Sequence, residues 1–163
     1  MLIFETFSPK ETEDLGALLG ERIPGGQVIS LDGELGAGKT RFVKGLAQGL
    51  GSAELVTSPT FALLHLYKGA RLDLAHFDVY RLRGPEEMEG LGYEEYFYGS
   101  GVSVVEWGSL VQGYLPEDYL QIWFRYMTRG EGEGREIEMS AVGRSVTVAS
   151  LWEEMRPYAR SGN

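Results

Sequence analysis

Gly33, Gly38, Lys39 and Thr40 stand at the G-x-x-x-x-G-K-T spacing of a phosphate-binding loop, inside the stretch Leu31–Gly45. The residue types suit a polyphosphate. Glycines at 33, 36 and 38 let successive backbone N–H groups turn onto one concave surface, with Glu34, Leu35 and Ala37 completing the loop. Lys39 brings a point charge to the β- and γ-phosphates, and the Thr40 hydroxyl can ligate Mg²⁺. Arg41 follows in the first helical turn and closes the set of expected nucleotide contacts. A helix opening at this point aims its positive end at the same anion.

Turnover asks for more than a loop: a carboxylate for the metal and a group that holds the attacking water. In an α/β sheet such side chains stand at the carboxyl ends of parallel strands. Glu106 follows the β-branched run Val102–Val105 and is the candidate metal carboxylate beside Thr40; the competing reading is a solvent-facing strand end. Asp78, in His76-Phe77-Asp78-Val79-Tyr80-Arg81, closes another strand and could orient water, or merely cap a turn. Lys39, Asp78 and Glu106 are thus the expected catalytic set. Thr57–Thr60 could fold over the γ-phosphate as a switch-like loop. His76 reads as packed or supporting a ligand, His65 as a strand residue without partners, and Trp107 as a half-buried anchor or a lid. With no cysteine and two histidines, thiolate zinc sites and disulfides are excluded. No G-x-S-x-G is present.

These residues need a frame. Gln27–Leu31 reads as a buried strand, and Phe42, Val43, Leu46 and Leu50 recur at helical spacing after the loop. Upstream, Ser8-Pro9-Lys10-Glu11 carries a capping box with proline at the first helical position, and Leu15, Leu18, Leu19 and Ile23 form the stripe. Phe61–Tyr67 and Leu72–Asp78 suggest a hairpin; Leu120–Tyr126 and Ile137–Val142 suggest a second, around the glycine-rich 130–134. Gly84–Glu87 opens a short acidic helix. Ser150 with Glu153 reads as a capping box for a C-terminal helix. The aromatics of Tyr93–Tyr98 either fill the core beside the central strand or, with Trp107, form an interface. The pattern predicts one domain over 1–163: an α/β phosphate-loop fold, its central sheet mixed parallel and antiparallel, with hairpins and flanking helices.

Composition narrows the partners. The net charge of −9 argues against broad electrostatic binding to nucleic acid or an anionic membrane. No run of 18 apolar residues and no signal-peptide pattern occurs, so a cytoplasmic protein is expected.

Four segments, in this order, carry a family resemblance: Gly33–Thr40, Ser58-Pro59-Thr60-Phe61, His76–Leu82 and Glu106-Trp107. Together they closely resemble the bacterial TsaE (YjeE) ATPases of tRNA threonylcarbamoyladenosine synthesis, over about two-thirds of the chain, from Thr12 and Leu15-Gly16 to Trp107. The resemblance implies Mg²⁺-dependent ATP hydrolysis in concert with TsaD and TsaB, which transfer threonylcarbamoyl to the adenosine beside the anticodon; tRNA would be met through that complex. It implies that Lys39 and Thr40 hold phosphates and metal, that Glu106 completes the metal site, that Asp78 lies near the γ-phosphate, and that Thr12 touches the adenine side. Glu34 replaces the usual Asp after Gly33, and Arg41 replaces a second Thr after Gly-Lys-Thr. Beyond Trp107 only Gly134-Arg135-Glu136 keeps a faint likeness.

Other classes fit the same loop. A small-molecule kinase would use a lid with arginines, for which Arg81 and Arg83 are the nearest candidates. A nucleotide-switch interaction module would bind without significant turnover. A GTPase would need Asn-Lys-x-Asp, and the only Asn is Asn163.

Overall fold

The computed structural model describes residues 1–57, 63–127, 133–144 and 147–161. Among the described residues, seven strands form one sheet in the order β1-β7-β6-β2-β5-β4-β3. They are β1 (Leu2–Thr6), β2 (Val28–Gly33), β3 (Leu64–Tyr67), β4 (Leu74–Asp78), β5 (Val102–Glu106), β6 (Tyr119–Tyr126) and β7 (Arg135–Val142). Pairs β4/β5, β5/β2 and β2/β6 are parallel, while β3/β4, β6/β7 and β1/β7 are antiparallel. The expected mixed sheet with two hairpins is therefore present. Strand β1, which sequence reading did not anticipate, adds an edge by pairing Leu2 with Met139 and Thr6 with Arg135.

Helices cover both faces. On one side lie α1 (Pro9–Arg22), α2 (Lys39–Gly49) and α4 (Thr147–Met155). Their apolar stripes, including Leu19, Phe42, Leu46 and Leu151, close on Ile29, Leu31, Val104 and Ile122 of the central strands. On the other side, α3 (Tyr93–Phe97) and 3-10 turns at Pro85–Leu91 and Gly108–Tyr114 close a smaller core around Phe77, Met88, Phe97 and Val105. The alternation of Val104 and Val105 between these two cores explains why β5 is buried throughout.

Helix α1 starts as its sequence dictates. Ser8 Oγ accepts from Glu11 N at 3.1 Å. Glu11 Oε2 returns the bond, but to Phe7 N at 2.6 Å rather than to the cap residue's own N–H. Helix α4 corrects its expected start: it opens at Thr147, so Ser150 lies inside it and is no cap. Helices α1 and α2 meet backbone to backbone at their glycines. A Cβ at Gly16 would strike Phe42 O, and one at Gly45 would strike Glu13 O. The glycines of both helices thus let the two backbones come together.

The aromatic stretch resolves mainly as core. Phe97 is buried, Tyr93 packs edge-on against it, Tyr96 packs edge-on against Phe77, and of these aromatics only Tyr98 is well exposed. Of the two readings open for Tyr93–Tyr98, the rings follow the core reading, because α3 turns them onto Phe77. Among the described residues, no helix is long and apolar enough to cross a membrane. The switch-like segment Thr57–Thr60, apart from Thr57, lies outside the described residues, as do residues 128–132 of the second hairpin.

Candidate functional site

Parallel pairing of β2 with β5 and of β5 with β4 puts three strand ends side by side: Leu31 is opposite Glu106, and Glu106 is opposite Asp78. The loop from β2 to α2 rises over these ends. Its glycines adopt the backbone that their spacing calls for, with φ of +76° at Gly36 and +103° at Gly38. Gly38 is also the residue from which α2 starts, and its carbonyl accepts from Phe42 N at 2.9 Å. The first helical turn then carries Lys39, Thr40 and Arg41.

Each expected catalytic residue reaches this end of the sheet. Lys39 is buried, and its Nζ donates to Gly33 O at 3.0 Å and Glu34 O at 2.8 Å. Burial holds its ammonium below the ordinary lysine value, against the opposing pull of Glu106, Asp32 and Asp78. Thr40 Oγ1 donates to Glu106 Oε1 at 3.0 Å, and the other carboxylate oxygen lies 2.6 Å from His76 Nε2. Glu106 is 3% exposed, so the solvent-facing reading of this carboxylate is wrong. Asp78 is half-buried. Desolvation pushes its carboxyl up, the Tyr80 N–H that it accepts at 3.2 Å pulls it down, and Glu106 pushes it up further. It therefore caps a turn and also faces the site.

A cavity of about 440 Å³ opens over these groups, lined by Leu35, Gly36, Gly38, Lys39, Thr40, Arg41, Leu63, Asp78, Tyr80, Arg81, Glu106 and Trp107. A second, of about 230 Å³, lies across the loop and is lined by Phe7, Ser8, Pro9, Thr12, Gly36, Ala37, Gly38, Arg41, Glu133 and Arg135. Gly36, Gly38 and Arg41 border both, so the loop is the shared wall. Thr12 sits at the second cavity with its hydroxyl 2.7 Å from that of Thr6. Glu34 is exposed on the outside of the loop, where its side chain meets solvent and its carbonyl meets Lys39.

Trp107 is the conformational oddity. Among the described residues it is the only non-glycine at positive φ, 65°. A left-handed backbone of this kind costs about 1–2 kcal/mol. Two contacts hold it there: Trp107 N donates to Leu31 O at 2.7 Å, and its ring lies 4.8 Å from that of Tyr80. The same ring stands 4.1 Å from Lys39 Nζ, a cation–π contact across the cavity.

Several contributors carried little sequence signal. Asp32 is buried beneath the site and accepts from Ser30 Oγ at 2.9 Å, Gln121 Nε2 at 2.7 Å and Ser109 N at 3.0 Å. It ties the segment after Trp107 to β2 and β6. A lone acid inside an apolar strand just before the first loop glycine was its available signal. Tyr126 donates its hydroxyl to Leu35 O at 3.0 Å and carries the Arg135 guanidinium 4.1 Å above its ring. His65 is not without a partner, since its Nδ1 lies 3.2 Å from Tyr67 Oη. Arg81 borders the first cavity, whereas Arg83 is not among its lining residues.

The donors fit a small hard cation. Thr40 and Glu106 offer a hydroxyl and a carboxylate oxygen, and among the described residues no group of three or more His, Cys, Asp or Glu could cage an ion. Mg²⁺ is commonly held by one or two protein oxygens with phosphate and water completing its shell.

A central parallel sheet with this loop at its carboxyl end defines a phosphate-loop α/β protein. Within that class, residues 6–137 match the family described as "Threonylcarbamoyl adenosine biosynthesis protein TsaE". A Bacillus subtilis protein named for that function is 44% identical over 162 residues, covering 99% of this chain and 98% of its own. A Treponema pallidum protein of the same name is 48% identical over 126 residues, covering 77% of this chain and 93% of its own. The crystal structure of Bacillus subtilis YdiB superposes with a TM-score of 0.78 at 36% identity, over 96% of this chain and 95% of that one. The chain belongs to the TsaE family of tRNA threonylcarbamoyladenosine biosynthesis.

Proposed function

We propose that the chain is a Mg²⁺-dependent ATPase subunit that works with TsaD- and TsaB-like proteins in threonylcarbamoyl transfer to the tRNA adenosine beside the anticodon. The observation that carries this reading is the convergence of Lys39, Thr40 and the buried Glu106 on one cavity at the carboxyl end of the parallel strands.

The residues divide the work. Backbone N–H groups over Gly33–Gly38 cradle the phosphates, and Lys39 leaves its loop carbonyls and the Trp107 ring to pair with them. Thr40 and Glu106 would hold Mg²⁺, which would neutralise charge on the phosphate oxygens. Asp78 orients the water that attacks the terminal phosphorus; the new P–O bond forms as the bridging P–O bond breaks, the water's proton is taken up by the departing phosphate, and ADP and phosphate leave. Thr12 and Arg41, at the second cavity, face the nucleoside side of the loop.

The charge of the chain bears on partners. With a net charge of −9 it leaves most contact with tRNA to the proteins it joins, in the cytoplasm. The test is ATP turnover by the purified chain, alone and with TsaD and TsaB. Turnover that rises in the assembled set is expected; none in either case would sink the reading.

A further inference from the structure

His76 lies in mid-β4 opposite Val104 of β5 and is fully buried. Its Nε2 is 2.6 Å from Glu106 Oε2. A carboxylate oxygen only accepts, so Nε2 carries the proton and donates it. The other ring nitrogen, Nδ1, is buried and has no protein partner among the described residues. A strand interior would pack more favourably around an apolar ring, because a buried nitrogen without a partner carries a desolvation cost. What the imidazole adds is one directed hydrogen bond to one carboxylate oxygen.

That bond completes a chain. Thr40 Oγ1 reaches Glu106 Oε1, and His76 Nε2 reaches Glu106 Oε2, so the carboxylate is held at both oxygens. The two ties differ in kind. Thr40 sits in the first turn of α2 at the cavity, whereas His76 comes from the sheet beneath. Metal binding between Thr40 and Glu106 would replace the first tie and leave the second.

We propose that His76 is the positioning residue of this carboxylate: its Nε2–H fixes Glu106 so that Oε1 faces Thr40 and stays ready for Mg²⁺. The proposal rests on the reading that a Mg²⁺–nucleotide complex occupies the cavity. Groups that orient a ligand in this way are typically worth about 10- to 100-fold in metal affinity or activity.

The experiment compares wild type, His76→Leu and His76→Gln by calorimetric titration with ADP, first in chelator and then over a Mg²⁺ series. The amide of Gln can return an N–H near the Nε2 position. In chelator all three should bind ADP within about twofold of one another. In the Mg²⁺ series, His76→Leu should need about tenfold more Mg²⁺ for half of the wild-type enhancement. His76→Gln should recover most of that loss. A wild-type Mg²⁺ requirement in His76→Leu, or equal losses in Leu and Gln, would overturn the proposal, the second because packing alone would then explain the effect. If ADP binding by wild type ignores Mg²⁺, the metal reading itself fails, which is a separate result. Nitrogen NMR of the wild-type histidines needs no variant and provides an independent check. Protonated Nε2 with bare Nδ1 supports the bond, and the opposite tautomer overturns it.

Discussion

Thr40 and Glu106 are 66 positions apart, yet the hydroxyl of one donates to the carboxylate of the other at 3.0 Å. The sheet explains the meeting. Strand β5 lies directly beside β2 with Leu31 opposite Glu106, so the loop leaving β2 must pass over the end of β5. Helix α2, starting at the far side of the loop, delivers Thr40 to that end.

Glu106→Ala should remove turnover while sparing nucleotide affinity measured without Mg²⁺. A carboxylate acting through the metal stabilises the transition state more than the bound substrate. A loss of at least about 100-fold in kcat is expected, equal to ~2.7 kcal/mol. Single-turnover hydrolysis and nucleotide titration measure the two quantities. Wild-type turnover would move the metal role to Asp78.

Lys39→Ala should instead lose binding and turnover together, because the ammonium pairs with phosphate in both states. Nucleotide affinity should fall about tenfold or more, the ~1.4 kcal/mol of one charge-assisted contact. Titration calorimetry with ADP checks it. Unchanged affinity would mean that Lys39 never leaves Gly33 O and Glu34 O.

Asp78→Asn should stabilise the nucleotide-free chain at neutral pH. Burial raises the Asp78 carboxyl, so between roughly pH 4 and that raised value the folded state binds more protons than the unfolded one. Stability contributed at this site therefore falls as pH rises through that window. The variant's advantage should be absent below it and complete above it, while hydrolysis is lost. Urea unfolding of both proteins across the acid range reads the difference, and an advantage shrinking with rising pH would contradict the assignment.

Gly45→Ala tests the seam between α1 and α2. Alanine is worth about 1 kcal/mol over glycine within a helix. Its Cβ would here collide with the Glu13 carbonyl, which is backbone and cannot swing aside. Overpacking of this kind costs about 1–3 kcal/mol and occasionally more, so a net loss of up to about 2 kcal/mol is expected by urea unfolding. A gain in stability would show that the helices can separate freely.

The order in which local and distant forces act decides what could be read in advance. Gly33–Thr40 states its own conformation, because glycine spacing fixes the backbone and the flanking periodicities fix strand and helix. Glu106 was legible from the β-branched run before it, as was the Ser8 cap from Pro9 and Glu11. The link of Tyr126 to Leu35 spans 91 positions and has no local trace. Strand β1 exists through its pairing with β7, which no feature of five residues announces. Ser150 misled because a capping pattern inside a helix looks the same as one at its start, and packing of Val148 against the main core carries the helix further back. Tyr93–Tyr98 admitted two readings because aromatic residues suit both a core and a binding face.

The glycine seam has a mechanical meaning. Thr12 near the start of α1 borders one cavity, and Lys39 and Thr40 at the start of α2 border the other. With backbone set against backbone, these two helices behave as a single rigid beam, and the spacing between the two cavities becomes a fixed gauge. On the proposed nucleotide-binding reading, any closing stroke would come from the opposite jaw, where Tyr80 leans on the strained Trp107.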